Sequence, residues 1–327
     1  MRKGHFIWED AQGNKHYVYE WLPSADVVIK GFVQIAHGMA ETAARYERLA
    51  VVLTQNGYAV YANDHLGHGQ TAGSLDAVGK FGKDSFHTMA DIMGQITMQI
   101  RNRYEYNSEL PIQEHKRDHL PLFILGHSMG SFLTQYYMVS YMERYPAHVQ
   151  GIMLSGSNGK EGPALHAGIA IATVEAAIRG DHFRSLMLTA LSFGNFNARF
   201  KPNRTAFDWL SRDEDEVDAY MKDPYCGGIF TSGYFRDFFK GLKEIHQPQH
   251  VNRIRKDVPI YIFSGEEDPV GGQGKGVRRL IRGYEKLGIQ DISYKLYPGG
   301  RHEMLNEINR DEVMRDIVAR LDSWMAK

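Results

Sequence analysis

Between Leu122 and Leu133 a short apolar run, Leu122-Phe123-Ile124-Leu125, leads into Gly126-His127-Ser128-Met129-Gly130, and an apolar helical pattern begins at once. This stretch constrains the fold more than any other. A serine hydroxyl is a weak nucleophile and must be presented to a base, clear of its own backbone. A strand-to-helix turn tight enough to do so puts Ser128 in a strained conformation. Side chains two residues before and after it would clash, so both positions favour glycine. The following helix aims its N-terminal dipole and free N–H groups at the same point. With 33 glycines in 327 residues the five-residue pattern alone says little. Strand before and helix after are what a nucleophile elbow requires.

The rest of the composition narrows the setting. The chain is 43% hydrophobic and 24% charged, with a net charge of −1. That is enough apolar material for a large core, and it offers no basic surplus for nucleic acid. Cys226 is the single cysteine, so no intrachain disulfide forms, which fits a reducing compartment. Met1–Asp10 lacks the apolar core and cleavage site of a signal peptide. No run of about 18 apolar residues exists to span a membrane. The expected location is the cytoplasm.

In chain order, Phe6–Trp8 and His16–Leu22 flank Asp10-Ala11-Gln12-Gly13-Asn14 and predict a β-hairpin. Phe32–Ala36 predicts a buried strand ending in His37-Gly38-Met39-Ala40-Glu41. Gly38 permits a sharp turn, and the Met39 N–H is the backbone donor that this loop offers at the strand's end. Thr42 is placed to cap a helix over Ala43–Gln55, and Tyr58–Ala62 is the next strand. The loop Asn63–Gly69 holds Asp64, His65 and His68, but their spacing fits no metal framework and predicts a structural loop. Phe86–Tyr104 carries a helical stripe of Met89, Ile92, Met93, Ile96 and Ile100, read as core. Asn107–Leu120, with His115 and His119, reads as a polar surface loop. Val149–Ser155, Pro259–Ser264 and Ile292–Tyr297 complete the strands, and the last helix opens near Asn309, with Glu312 as capping partner. Strand and helix alternate three times before residue 159, which argues a parallel sheet. Gly159–Pro248 then breaks the rhythm as a mostly helical insertion. Its place at the carboxyl end of a strand favours a lid. Its apolar segment Pro163–Ile178 either fringes a pocket, touches a lipid surface, or lies buried on the sheet.

Three strands are followed by loops that offer Ser128, an acid and His302, in that order. Ser, then Asp or Glu, then His is the order of elbow-type hydrolases. His302 is the expected general base, and the acid fixes its tautomer. Glu266, Glu267 and Asp268 compete for that place. Asp268 is preferred because it sits deepest in the turn, beside the stiffening Pro269.

At these residues the chain resembles the α/β-hydrolase fold, and within it the monoacylglycerol lipase and lysophospholipase-like serine hydrolases. The motifs are His37-Gly38-Met39-Ala40-Glu41, Asp64-His65-x-Gly67-His68-Gly69, Gly126–Gly130, Ser264-Gly265-x-x-Asp268-Pro269-Val270 and Gly300-x-His302-Glu303, in family order over nearly the whole chain. The resemblance implies a Ser128, Asp268 and His302 triad, and an oxyanion hole of the Met39 and Met129 N–H groups. It also implies a core of residues 1–158 and 249–327 under a helical lid of residues 159–248. A lipid-like ester is the implied substrate, and no metal or organic cofactor is expected; the apolar Pro163–Ile178 segment raises transient contact between lid and membrane surface. Gln70-Thr71 departs from the family, which more often has a charged residue and Ser there. Proline iminopeptidases of this fold resemble a different oxyanion loop, His-Gly-Gly-Pro-Gly. Dehalogenases and epoxide hydrolases use Asp where Ser128 stands. A short-chain carboxylesterase and a non-catalytic ligand-binding member are the remaining rivals.

Overall fold

The apolar runs become the strands of one eight-stranded sheet. The structure is a computed structural model and describes residues 1–105, 120–144 and 149–326. The expected loop at 107–119, with His115 and His119, lies outside the described residues. Strands β1 (Arg2–Glu9) and β2 (Lys15–Leu22) form the antiparallel hairpin. Then come β3 (Gly31–Ala36), α1 (Glu47–Gln55), β4 (Tyr58–Asn63), α2 (Ser85–Glu105), β5 (Leu122–His127), α3 (Met129–Ser140) and β6 (Val149–Ser155). Helices α4 (Ala164–Arg179), α5 (Leu186–Phe193), α6 (Glu214–Lys222), α7 (Ser232–Ile245) and the single turn α8 (Pro248–Val251) follow. The chain closes with β7 (Ile260–Gly265), α9 (Lys275–Lys286), β8 (Ile292–Tyr297) and α10 (Arg310–Met325).

The sheet order is β1-β2-β4-β3-β5-β6-β7-β8, parallel from β4 onward. Helices cover both faces, so β3, β4, β5 and β7 are buried at every position. Period-two alternation divides them. Leu122 and Ile124 join the core under α2, α3 and α9, while Phe123 and Leu125 face α1 and α10. From β3 the chain steps outward to β4, then returns to β5 on β3's other side. That reversal opens a crevice at the strands' carboxyl ends, between the loops after β3 and β5.

Two helix starts differ from expectation. Thr42 makes no side-chain cap. A tight 3-10 turn at Ala43–Tyr46 precedes α1, and the Asp64 carboxylate takes the Ala43 N–H at 2.8 Å. Asn309 does not cap α10 either, because its side chain is held between Glu312 and Arg212. Within the β6–β7 segment side-chain caps do form: Ser185 opens α5, Asp213 opens α6 and Thr231 opens α7. Its single β feature is the bridge between Arg184 and Thr231. Helix α7 packs on α2, α3 and α4. No helix among the described residues is long and apolar enough to cross a membrane.

Candidate active site

Ser128 sits at φ 51°, ψ −118°, between β5 and α3. Such a conformation costs a non-glycine residue about 1–3 kcal/mol and persists only where its surroundings enforce it. The surroundings are tight. A Cβ on Gly126 would lie 2.4 Å from the Thr134 Oγ1, and one on Gly130 2.0 Å from the Ala36 carbonyl oxygen. Hydrogen bonds hold the turn from both sides. The Ser128 N–H donates to Ser155 O at 2.9 Å, and the Ser131 hydroxyl donates to Ser128 O at 2.6 Å.

The loops after β7 and β8 bring Asp268 and His302 together, with His302 Nδ1 2.9 Å from Asp268 Oδ1. Both side chains are buried. Since a carboxylate can only accept, Nδ1 carries the proton, and Nε2 bears the lone pair of the neutral ring. Asp268 also accepts from the Ser264 hydroxyl at 2.7 Å and the Val270 N–H at 2.9 Å. Burial by itself raises the Asp268 pKa, but the charge and hydrogen bond of His302 with the other two donors outweigh it, so the carboxyl stays below its ordinary range. Burial likewise lowers the His302 pKa, and the Asp268 carboxylate more than reverses this. The rival acids lie elsewhere: Glu267 pairs with Arg199 of the β6–β7 segment at 3.0 Å, and Glu266 is exposed.

The loop after β3 is fixed atom by atom around Met39. The Gly38 N–H donates to Glu41 Oε1 at 2.5 Å, and the His37 Nδ1 donates to the Gly38 carbonyl at 2.8 Å. The Ala40 N–H donates to His68 Nε2 at 3.3 Å, and the Ala40 carbonyl accepts from Gly227 N and the Tyr220 hydroxyl, each at 2.9 Å. Among the described residues the Met39 N–H has no hydrogen-bond partner. The Met129 N–H is the first of α3 and has no intrahelical acceptor. A Cβ on Gly38 would lie 3.2 Å from the Ser128 Cβ, so this loop abuts the elbow directly. The Met129 side chain turns the other way, to a 2.6 Å contact with the Tyr234 hydroxyl.

Asp64, His65 and His68 are tied into this loop and its neighbours, His65 through its N–H, which donates to His37 Nε2 at 2.9 Å. Asp64 accepts from Ala43 N and Gln70 N, and His68 accepts from Ala40 N. The departure at Gln70-Thr71 is absorbed there too, since the Thr71 hydroxyl accepts the Tyr17 N–H at 2.9 Å.

Ser128 and His302 line one cavity of about 410 Å³. Its apolar wall comes from the β6–β7 segment: Leu186, Ala190, Phe193, Phe207, Trp209 and Leu210. Glu41 and Glu303 stand on its polar side. Trp209 lies 5.1 Å, ring to ring, from His302, and the Trp209 and Leu210 carbonyls accept the N–H groups of His302 and Glu303. Sequence reasoning missed Arg45, Trp209 and Tyr220. Arg45 had one signal, its i,i+4 spacing from Glu41. The other two lie in the segment whose pattern is least regular.

Residues 28–309 match the Hydrolase_4 family, described as serine aminopeptidase, S33. The chain is 29% identical to a monoacylglycerol lipase of Mycolicibacterium smegmatis, over 96% of this chain and 94% of that protein. It is 27% identical to human monoglyceride lipase, over 97% and 89%. A thermostable carboxyl esterase from Bacillus coagulans superimposes with a TM-score of 0.86 at 25% identity, covering 99% of both chains. A soluble variant of yeast monoglyceride lipase has the same fold, with a TM-score of 0.72 at 21% identity over 99% of this chain and 95% of that one. The chain belongs to the S33 serine aminopeptidase family of the α/β-hydrolase fold, among relatives that are carboxylic ester hydrolases.

Proposed function

We propose that this carboxylic ester hydrolase cleaves lipid-like esters, monoacylglycerols or lysophospholipids, through a Ser128, His302 and Asp268 triad. The observation that carries the reading is the 2.9 Å Asp268–His302 pair, opening with the strained Ser128 onto one largely apolar cavity. Ser128 Oγ attacks the ester carbonyl while His302 Nε2 takes its proton. The Met39 and Met129 N–H groups hold the oxyanion, each donor contributing about 3 kcal/mol. Collapse of the tetrahedral adduct breaks the C–O bond, and His302 returns the proton to the departing alcohol. Water, deprotonated by the same nitrogen, then releases the acid and regenerates Ser128.

Residues 159–248 are the lid and residues 1–158 and 249–327 the core in this reading. Support comes from the cavity wall, which the β6–β7 segment supplies. Helix α4 supports lid contact with a lipid surface. It buries Ala172, Glu175 and Ala176 and leaves Ile171, Val174 and Ile178 exposed, so it does not lie buried on the sheet. A cytoplasmic setting rests on the single cysteine.

Hydrolysis of a short-to-long p-nitrophenyl ester series, beside a monoacylglycerol and a lysophospholipid, tests the proposal with Ser128→Ala as control. Long-chain lipids are expected to turn over, and Ser128→Ala to lose several orders of magnitude. Near-normal turnover by Ser128→Ala refutes the nucleophile. Turnover of short esters alone keeps the triad and replaces the lipid substrate with a general carboxylesterase.

A further inference from the structure

His302 has far to reach. Ser128 follows β5 near the sheet's centre, while His302 follows β8 at its edge, three strands away. At about 4.8 Å per strand that is about 14 Å, and the loop after β3 is one strand further. The two loops nevertheless meet, and one side chain joins them. Arg45 donates through one terminal nitrogen to Glu41 Oε2 at 2.8 Å and to Glu303 Oε1 at 2.7 Å, and through the other to Glu303 Oε2 at 2.6 Å. Glu41 in turn takes the Gly38 N–H, beside Met39. Glu303 is the residue after His302 and is steadied by the Asn306 amide at 2.9 Å. The Arg45 guanidinium also lies over the Tyr220 ring, 5.0 Å from its centroid, and Tyr220 holds the Ala40 carbonyl. Thus one fork binds the loop around Met39, the loop after His302, and the segment that walls the cavity.

A buried ion triad of this kind is weak evidence for stability, because desolvation offsets most of its attraction. Its geometric content is larger. A bidentate guanidinium–carboxylate contact fixes two planes against each other in a way that an ammonium does not. Arg45 does not line the cavity that holds Ser128. We propose that Arg45 is a positioning residue: it sets the separation between the oxyanion loop and the histidine loop from behind the site, without touching substrate. The proposal rests on the Ser128–His302–Asp268 reading above.

The test compares kcat and KM of the full chain for p-nitrophenyl butyrate in the wild type, Arg45→Lys, Arg45→Met, Arg45→Met/Glu303→Gln and Ser128→Ala. Arg45→Lys keeps the charge and loses the fork. Its kcat is expected to fall about 10²-fold, the size of effect that a displacement of about 1 Å produces at a reacting centre. KM is expected to move by less than about threefold, since no substrate contact is lost. Arg45→Met leaves two carboxylates unpaired and is expected to melt earlier. The double variant removes one of those charges and is expected to regain thermal midpoint but not kcat. Recovery of kcat in the double variant would reduce Arg45 to a charge-balancing role and overturn the proposal. A rise in KM at unchanged kcat would make Arg45 a substrate contact and overturn it equally. Wild-type kcat in Arg45→Lys, with Ser128→Ala inactive, defeats the positioning role and leaves the triad standing. Activity in Ser128→Ala defeats the triad itself.

Discussion

The Tyr220 hydroxyl, on α6, donates a 2.9 Å hydrogen bond to the carbonyl of Ala40, next to the proposed oxyanion donor Met39. Ala40 has φ 59°, a left-handed conformation rare for alanine, so its peptide needs external support. The β6–β7 segment therefore does more than wall the cavity: it holds the loop that the proposed chemistry uses. Tyr220→Phe keeps the ring and removes the bond, leaving Gly227 N as the Ala40 donor. Stability is expected to drop by about 1 kcal/mol. Ester kcat is expected to fall about tenfold with KM little changed, as for a loss felt only in the transition state. Steady-state kinetics and a denaturant titration check both; an unchanged kcat would show the loop to be self-supporting.

With His302 as the proposed base, its ionisation sets the expected pH profile. Only the neutral imidazole is a base, so kcat/KM rises with pH as the imidazolium loses its proton. Asp268 holds the His302 pKa above the ordinary histidine value of 6.5. The ascending limb is therefore expected above pH 6.5, and Asp268→Asn is expected to move it down and lower the plateau. A profile flat from about pH 5 to 8 would exclude His302 as the base.

Two glycines near Ser128 predict different failures. At Gly130 a methyl group would press into the Ala36 carbonyl at 2.0 Å, against backbone that cannot rotate away. Gly130→Ala is expected to destabilise the fold by about 3 kcal/mol, at the upper end of overpacking. At Gly38 the added methyl meets the Glu41 carboxylate at 2.8 Å and the Ser128 Cβ at 3.2 Å. Gly38→Ala is expected to fold, because a side chain gives way first, and to lose about 10²-fold in kcat as the loop shifts from Ser128. Thermal melts beside ester kinetics separate the two cases.

These glycines also show what made the site legible. The Gly126–Gly130 spacing encodes a steric requirement within five residues, so it is visible in sequence, as are the buried runs of β3, β5 and β7. Asp268 was separable from Glu266 and Glu267 only as the deepest of three neighbours; the structure distinguishes it by burial and by three donors. Arg45 and Glu303 lie 258 positions apart, and nothing local marks their pairing. Thr42 looked like a cap because local chemistry favours it, but its hydroxyl makes no cap bond, and a distant side chain, Asp64, brought in by β4, takes the Ala43 N–H. Pro163–Ile178 is apolar round most of its circumference, and its one charged residue, Glu175, is buried, so periodicity could not say which face was buried.

Acid is expected to loosen the molecule mainly through its buried histidines. His37 Nε2 accepts the His65 N–H, and His68 Nε2 accepts the Ala40 N–H, so both rings must be neutral. Burial pushes His37 and His127 down to about 4, and holds His65 and His68 well below their ordinary value. Their folded pKa values lie below the unfolded 6.5, so the unfolded chain binds more protons once the pH drops under 6.5. Each such histidine then removes about 1.4 kcal/mol of stability per pH unit, down to its folded pKa. Asp64 works oppositely, since burial pushes it up to about 6, and it offsets roughly one histidine. The thermal midpoint is expected to fall steadily from pH 6.5 to 4.5; a constant midpoint would show that these rings do not stay neutral in the folded state.

Helix α4 carries the prediction about lipid surfaces. Ile178 is 78% exposed and Val174 57%, and they continue into exposed Leu186, Met187 and Leu191 at the start of and along α5. Leu186 also lines the cavity of Ser128 and His302, so the apolar outer face and the candidate site share a wall. Each aliphatic side chain moved from water into lipid contributes about 1–2 kcal/mol. Ile178→Ser with Val174→Ser is therefore expected to weaken vesicle binding about 10²-fold, at 1.4 kcal/mol per tenfold. Hydrolysis of a soluble short-chain ester should be unchanged, because neither residue lines the cavity. Co-sedimentation with phosphatidylcholine vesicles, beside p-nitrophenyl butyrate kinetics, checks both halves. If the wild type does not sediment, the surface role of α4 is wrong while the cavity keeps its acyl-binding role. If the double variant loses soluble-ester turnover as well, α4 shapes the site from outside, and its exposed face is not a docking surface alone.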